Sequence, residues 1–312
     1  MHAELSALLA LIKMSGDHRL TVNRIVAVAQ SAGISIQALL ELSPHERIDV
    51  LGPGQGEVAY DLSRFENSHM EYARTTLDHL KNKGVTAIPV TSPDYPCALA
   101  DALGPRTPPL LFVLGHAATL SGSNAGIVGA RRASRAGLHL ADRCATVFAQ
   151  EGIPVVSGGA AGVDTRAHHT TLKQGSSTIV VLAQGVLTVD RGGWLPRAAE
   201  NDRLLVLSEF LPDAPWASRR AVTRNATISA LSRLVCVIDP QRGSGSMHTA
   251  RAAMRMGRKL LVRCRDQDAD LERELLRDGA ELLDDESGDL RDALLAHWDA
   301  APEDAGRQNE LF

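Results

Sequence analysis

Apolar residues recur at helical spacing among good helix formers through residues 3–14 and 20–31, so the chain opens on amphipathic helices. Ser35 begins a further short helical pattern with Ile36, Leu39 and Leu40, and Ser43-Pro44 sets a capping residue ahead of a proline at the first helical position of the next. Another helix is expected over residues 66–82. Ahead of it, Pro53-Gly54-Gln55-Gly56-Glu57-Val58-Ala59 partly resembles a helix-hairpin-helix turn, whose amides approach a DNA phosphate, although a plain interhelical turn fits the run better.

From Gly84 the pattern changes. A short apolar run, Val85 to Val90, enters a connector carrying Pro89, Pro93, Pro96, Pro105, Pro108 and Pro109, and an extended strand is expected over Leu110–Leu114. Beyond it, apolar runs alternate with helical stretches: Gly126–Val128 then 133–150, Ile153–Val156 then 162–174, Thr178–Leu182, Leu204–Leu207 then 224–232, Leu234–Ile238 then 246–257, and Lys259–Val262 then 270–278. Strands without polar alternation are buried on both faces, and their alternation with helices predicts an α/β fold with a doubly wound, mostly parallel sheet. Ligands of such folds bind beyond the carboxyl ends of the strands. The expected units are a helical domain over 1–83, a connector and leading strand over 84–115, the sheet domain over 116–298 and a flexible acidic tail over 299–312.

Composition narrows the class. The 312 residues are 44% hydrophobic and 22% charged, as in ordinary globular proteins, and no apolar run approaches the ~20 residues of a membrane span. The N-terminus lacks an export signal, so a cytoplasmic location is expected. Cys97, Cys144, Cys236 and Cys264 are widely spaced and are expected as small buried apolar residues, without disulfide or zinc spacing. The net charge of −4 conceals an asymmetry: residues 215–265 carry eleven basic side chains against Asp239 alone, whereas 266–312 carry sixteen acidic ones against four Arg. A polyanion is the expected partner of the basic block, and the acidic end is a candidate mask for it.

Three loops, each following an expected strand, hold the candidate chemistry. In the first, Gly129 permits a tight turn and Arg131 and Arg132 precede a helix whose N-terminal amides attract anions. The spacing is not that of a dinucleotide fingerprint, which argues against a dehydrogenase. In the second, Ser157, Gly158, Gly159 and Gly162 leave amides and a hydroxyl open to a phosphate, Asp164 caps the helix or orients a ribose, and His168 reads as a packing residue. In the third, Ser244, Gly245, Ser246 and Thr249 form an amide nest, and Arg219, Arg220, Arg224 and Asn225 just upstream supply cations. Together they predict a phosphate-lined groove. With aromatics at 4%, base stacking is expected to be sparse and binding mainly electrostatic.

The order of these patterns resembles the DprA/Smf family of DNA-processing proteins: Tyr95-Pro96-x-x-Leu99, Pro108 to Gly115, Ile127 to Arg131, Ser157 to Asp164 with Ala167-His168, Ser208-Glu209-Phe210, Arg224-Asn225-x-x-Ile228 to Ser232, Ser244-Gly245-Ser246-x-x-Thr249-Ala250, and Leu276 to Leu282. The resemblance implies a Rossmann-like domain that binds single-stranded DNA, loading of a RecA-type recombinase, homodimerisation, and neither enzymatic activity nor a cofactor. Ala161 and Ala226 stand where the family usually has Arg, the Phe-Pro before Arg224-Asn225 is absent, and Val262-Arg263-Cys264 replaces a Val-Pro-Gly. The winged-helix domain of many members is not expected. The end of the chain, Gln308-Asn309-Glu310-Leu311-Phe312, looks like the peptide by which bacterial repair proteins dock on the sliding clamp, with Gln308 on a pocket rim and Leu311 and Phe312 in an apolar cleft. The competing class is a small-nucleotide sensor or nucleoside-phosphate hydrolase on a related fold, for which Glu209 is the candidate base.

Overall fold

The computed structural model describes residues 2–16, 18–51, 55–189, 202–265, 268–284 and 289–302. The N-terminal third is helical: α1 (His2–Ser15), α2 (Arg19–Ser31), α3 (Ile36–Glu41), α4 (Pro44–Leu51), α5 (Gly56–Ser63) and α6 (Asn67–Asn82). Ser35 caps α3 by accepting from the Ala38 amide, as its position ahead of Ile36 predicts.

The remainder contributes β1 (Val85–Pro89), α7 (Cys97–Leu103), β2 (Leu110–Gly115), β3 (Asn124–Gly129), α8 (Arg135–Gln150), β4 (Val155–Ser157), α9 (Val163–Lys173), β5 (Thr178–Val181), β6 (Leu204–Ser208), α10 (Ser218–Ala230), β7 (Ser232–Ile238), α11 (Gly245–Arg255), β8 (Lys259–Arg263), α12 (Ala269–Arg277), β9 (Glu281–Leu282) and α13 (Leu290–Ala300). The strands form one sheet in the order β1-β2-β6-β5-β4-β3-β7-β8-β9. From β6 to β9 the pairing is parallel, while β1 with β2 and β2 with β6 are antiparallel. The chain runs outward from β3 to β6 and then returns to place β7 against β3, so the sheet's switch point lies between those two strands.

Strand parity divides the core. Val128, Val156, Ile179, Val235 and Val237 face α10 and α11 on one side of the sheet, while Ala125, Ile127, Val155, Cys236 and Ile238 face α8, α9 and α13 on the other. Each Leu or Phe fully removed from water adds roughly 1.5–3 kcal/mol. The segment 84–115 is more than a connector: β1 and β2 extend the sheet, and Val85, Leu110 and Phe112 share a core with α1, α2, α3 and α6. Cys144, Cys236 and Cys264 are buried as expected, whereas Cys97 at the start of α7 is exposed. None of the described helices is long and apolar enough to cross a membrane.

Candidate nucleic-acid interface

At the switch point β3 and β7 stay paired to their carboxyl ends, the loops beyond them lead to α8 and α11 on opposite faces of the sheet, and a cleft of about 530 Å³ lies between those loops. Gly129, Arg131 and Arg132 from the first loop line one wall, Ala160 and Asp164 the floor, and Ser244, Gly245, Ser246 and Thr249 the opposite wall, with Ala221, Arg224, Asn225 and Ile228 of α10 closing the side. The three Gly/Ser loops therefore do converge. A wider depression of about 630 Å³ lies between α8, α9 and the start of α13, but there Arg166 and Arg291 are already paired with Asp142 and Glu151.

Two of the three helix N-termini at this edge are filled from within. At α9, Asp164 is buried and draws the amides of Ala160, Gly129 and Gly158 around its carboxylate. Burial raises its pKa, and the nearby Arg224 guanidinium together with those amides pulls it back down. At α8, Ser134 caps the helix by accepting from the Gly137 amide, and the buried Asp239 accepts the Ser134 amide at 2.6 Å and Nε of Arg265 at 3.3 Å. Each helix thus carries its own anion where the dipole favours one. The sequence leaves open whether Asp164 is a cap or a ribose ligand; the structure shows it bound to its own backbone. Asp239 escapes a sequence reading altogether, because nothing in the run Ile238-Asp239-Pro240 tells that it reaches back to residue 134.

Other expected ligands also turn inward. The Ser157 hydroxyl, expected to be open to phosphate, is buried and donates to the Ile127 carbonyl at 2.6 Å, as strand parity at the end of β4 requires. Arg224, expected as a phosphate cation, is buried: its Nη1 donates to the carbonyls of Gly158 (2.6 Å) and Val181, which ties α10 to the ends of β4 and β5. Burial lowers the Arg224 pKa and Asp164 and Glu209 oppose that. Gly158 and Gly159 lie in the same turn. Gly162, at φ +87°, lets the second loop touch the first, since a Cβ there would come within 2.2 Å of the Ala130 carbonyl, and one on Gly129 would come equally close to that of Ile238. Asn225 is buried and donates to the Gly245 carbonyl at 3.0 Å, bracing α10 against α11. Arg220 donates to the Pro215 carbonyl and lies over the Phe210 ring, outside the cleft lining. Ala161 and Ala226, the positions of the replaced arginines, do not line the cleft either.

What remains open is asymmetric. Arg131 and Arg132 are exposed on one wall. Opposite them, Ser244 takes the extended N-cap conformation without making a side-chain cap bond, and the amides of Gly245, Ser246 and Met247 donate to no group among the described residues. The Ser244 and Ser246 hydroxyls sit 2.9 Å apart beside them. Among the described residues, two cationic side chains and one uncapped helix end are the features suited to an anion.

The basic block is dismantled in three dimensions. Arg233 donates to the Ala301 carbonyl, Arg258 to that of Ala230, Arg242 pairs with Glu274 of the acidic α12, Lys259 with Glu281, and Arg265 with Asp239. The acidic segment therefore neutralises part of the block at its flank and does not lie across the cleft as far as it is described. Glu209, the candidate base, is buried away from the cleft, where Arg19 of α2 approaches it at 3.0 Å and the Thr227 hydroxyl donates to it. His168 has the packing role expected: it is buried against the Thr178 hydroxyl at 2.7 Å, and burial pushes its pKa down to about 3. Among the described residues no group of His, Cys, Asp or Glu is placed to hold a metal ion. Gln308, Leu311 and Phe312 lie outside the described residues.

Known proteins share this architecture. The crystal structure of DNA processing protein A (DprA) from Streptococcus pneumoniae superposes with a TM-score of 0.69 at 24% identity, covering 90% of this chain and 94% of that one. A structure described as giving insight into the single-stranded DNA binding mode of DNA processing protein A from Helicobacter pylori has a TM-score of 0.58 at 24% identity, covering 70% and 97%. In sequence, the chain is 32% identical over 191 residues to the DNA processing protein DprA of Bacillus subtilis and 30% identical over 201 residues to the protein Smf of Escherichia coli. Those alignments take in 58% and 64% of this chain, and 61% and 53% of the relatives, under two thirds of their length. The family model described as DNA recombination-mediator protein A matches residues 86–293, which takes in every strand of the sheet but for Val85 of β1, and every wall of the cleft. The chain belongs to the DNA recombination-mediator protein A family.

Proposed function

We propose that this protein binds single-stranded DNA in the switch-point cleft, as a non-enzymatic recombination mediator. The observation that carries the reading is the facing pair of Arg131 and Arg132 on one wall and the uncapped N-terminus of α11 with Ser244 and Ser246 on the other. Consecutive phosphates of one strand fit that arrangement, and nothing in it reads a base edge, so binding is independent of sequence. The two candidate carboxylates support the non-enzymatic part: Asp164 in the cleft is engaged by three amides, and Glu209, away from it, by Arg19 and Thr227, which leaves neither poised as a general base.

Presentation of the bound strand to a RecA-type recombinase, self-association as a homodimer, and docking on the sliding clamp through Gln308, Leu311 and Phe312 complete the proposal. The clamp step is tested by deleting residues 308–312, which abolishes clamp binding and leaves DNA binding unchanged.

The central test is fluorescence anisotropy of a labelled single-stranded oligonucleotide at several salt concentrations with duplex competitor. Preference for the single strand, with a log–log salt slope of about −0.7 per phosphate neutralised, is the expected result. The cleft volume also suits a mononucleotide. Failure to bind the strand at low salt, with thermal stabilisation by a nucleoside phosphate, transfers the site to that second reading.

A further inference from the structure

Trp216 is 53% exposed. Indole is among the largest apolar surfaces a side chain can offer, and a soluble protein ordinarily covers most of it. Trp298 shows the ordinary case here, with Phe148 at 6.1 Å and the Arg233 guanidinium at 5.1 Å from its ring centre. Trp216 has no such aromatic or cationic partner among the described residues.

Its position gives the exposure a meaning. Trp216 lies two residues before α10, the helix whose Ala221, Arg224, Asn225 and Ile228 close the side of the cleft. Ala221 is three helical residues from Ser218, about 4.5 Å along the axis at 1.5 Å per residue, and the extended step through Ala217 adds at most about 7 Å, which keeps Trp216 within about 12 Å of the cleft lining, at its rim. The mount is fixed: Arg220 donates to the neighbouring Pro215 carbonyl at 2.7 Å and lies over the Phe210 ring at 5.8 Å. Arg219, also exposed, adds a cation three residues on.

We propose that Trp216 is a stacking platform for one base of the bound single strand, at the rim of the cleft that holds the phosphates. The proposal rests on the single-strand reading of that cleft and deepens it. Phosphate contacts alone do not distinguish a strand from a duplex, whereas a duplex keeps the faces of its bases covered. A flat indole beside a cationic groove accepts any unpaired base, so Trp216 supplies preference for single strands without preference for sequence.

The test compares labelled oligothymidine with an abasic oligonucleotide of the same length, using the full chain and its W216A and W216F variants. Expected are about a tenfold loss of affinity for oligothymidine in W216A (~1.4 kcal/mol), retention of most of it in W216F, and no change for the abasic strand. Equal affinities of wild type and W216A for oligothymidine overturn the proposal, as does an equal loss on both strands, because stacking requires a base. Failure of the wild type to bind either strand overturns the underlying reading and the proposal with it. In the unlabelled wild type, oligothymidine quenches indole emission and the abasic strand does not; quenching by both overturns the stacking assignment.

Discussion

The loops after β3 and β4 and the loop after β7 look alike in sequence, each a run of small residues between an apolar strand and a helix, yet they have opposite fates. The first two are closed: Asp239 answers the N-terminus of α8, and Asp164 gathers the amides of Ala160, Gly129 and Gly158 at α9. The third is open, because the carboxylate of its own segment, Asp239, is spent on the Ser134 amide and Arg265, which leaves Ser244 alone ahead of α11. A glycine-rich turn at a helix N-terminus is thus an anion site whose occupant is decided by the rest of the chain. Where an internal carboxylate is available, the loop becomes a fastening between strands, and where none is, it waits for a ligand.

If that contrast is correct, changes on the closed side, α9 included, should strike stability first, and the largest is the protonation of His168. Below pH 6.5 the unfolded chain takes up a proton at His168 that the folded protein refuses until about pH 3. The stability this residue contributes is therefore complete above 6.5 and lost as pH falls toward 3, by ~5 kcal/mol at 1.36 kcal/mol per unit. Urea midpoints across this range show the slope, and H168Q flattens it. Asp164→Ala comes next, because it strands the buried Arg224 and three amides. A loss of about 3 kcal/mol is expected in chemical denaturation, and a small change there would mean that the second loop is not internally closed. On the open side the effects move from stability to binding. Arg131→Ala is expected to leave stability within about 0.5 kcal/mol, to weaken single-strand binding roughly tenfold at low salt and to make the salt slope shallower by about 0.7. Ser246→Ala, which removes one hydroxyl beside the open amides, is expected to cost about threefold in affinity. Loss of stability in either of these two variants would erase the distinction between the loops.

Much of the fold is legible in the sequence because burial imposes a period. The uninterrupted Leu234–Ile238 run marks a strand covered on both faces, and Ser35 ahead of Ile36 marks a helix start. The beginning of α10 is not legible: it starts at Ser218 and not at 224, because Arg219, Arg220, Val222 and Thr223 interrupt the apolar spacing that a helix normally shows. α13 is hidden in a segment whose acidity draws attention first. At the site, residue types and spacing single out three loops that the structure brings together around one cleft, but do not say which polar atoms face it. Ser157 and Arg224 have the right chemistry for phosphate and spend it on the carbonyls of Ile127, Gly158 and Val181. Those partners lie between 30 and 66 residues away along the chain, and distance along the chain carries no sign of approach in space. The basic block misleads for the same reason, since contiguous arginines are dispersed to separate partners once the strands are laid side by side.

The antiparallel margin of the sheet sets a timetable for synthesis. Helices α1 to α6 are translated first, yet the core they share includes Phe112 of β2 and also Phe210, Leu211 and Ala214, which follow β6. The ribosome must add roughly 130 residues after Asn82 before that surface can be covered, an interval of roughly 7–26 s at 5–20 residues per second. Domains of mixed topology fold well within such a time. The period during which the nascent N-terminal half displays an open apolar face is therefore governed by translation speed, and slower decoding of residues 83–214 lengthens it.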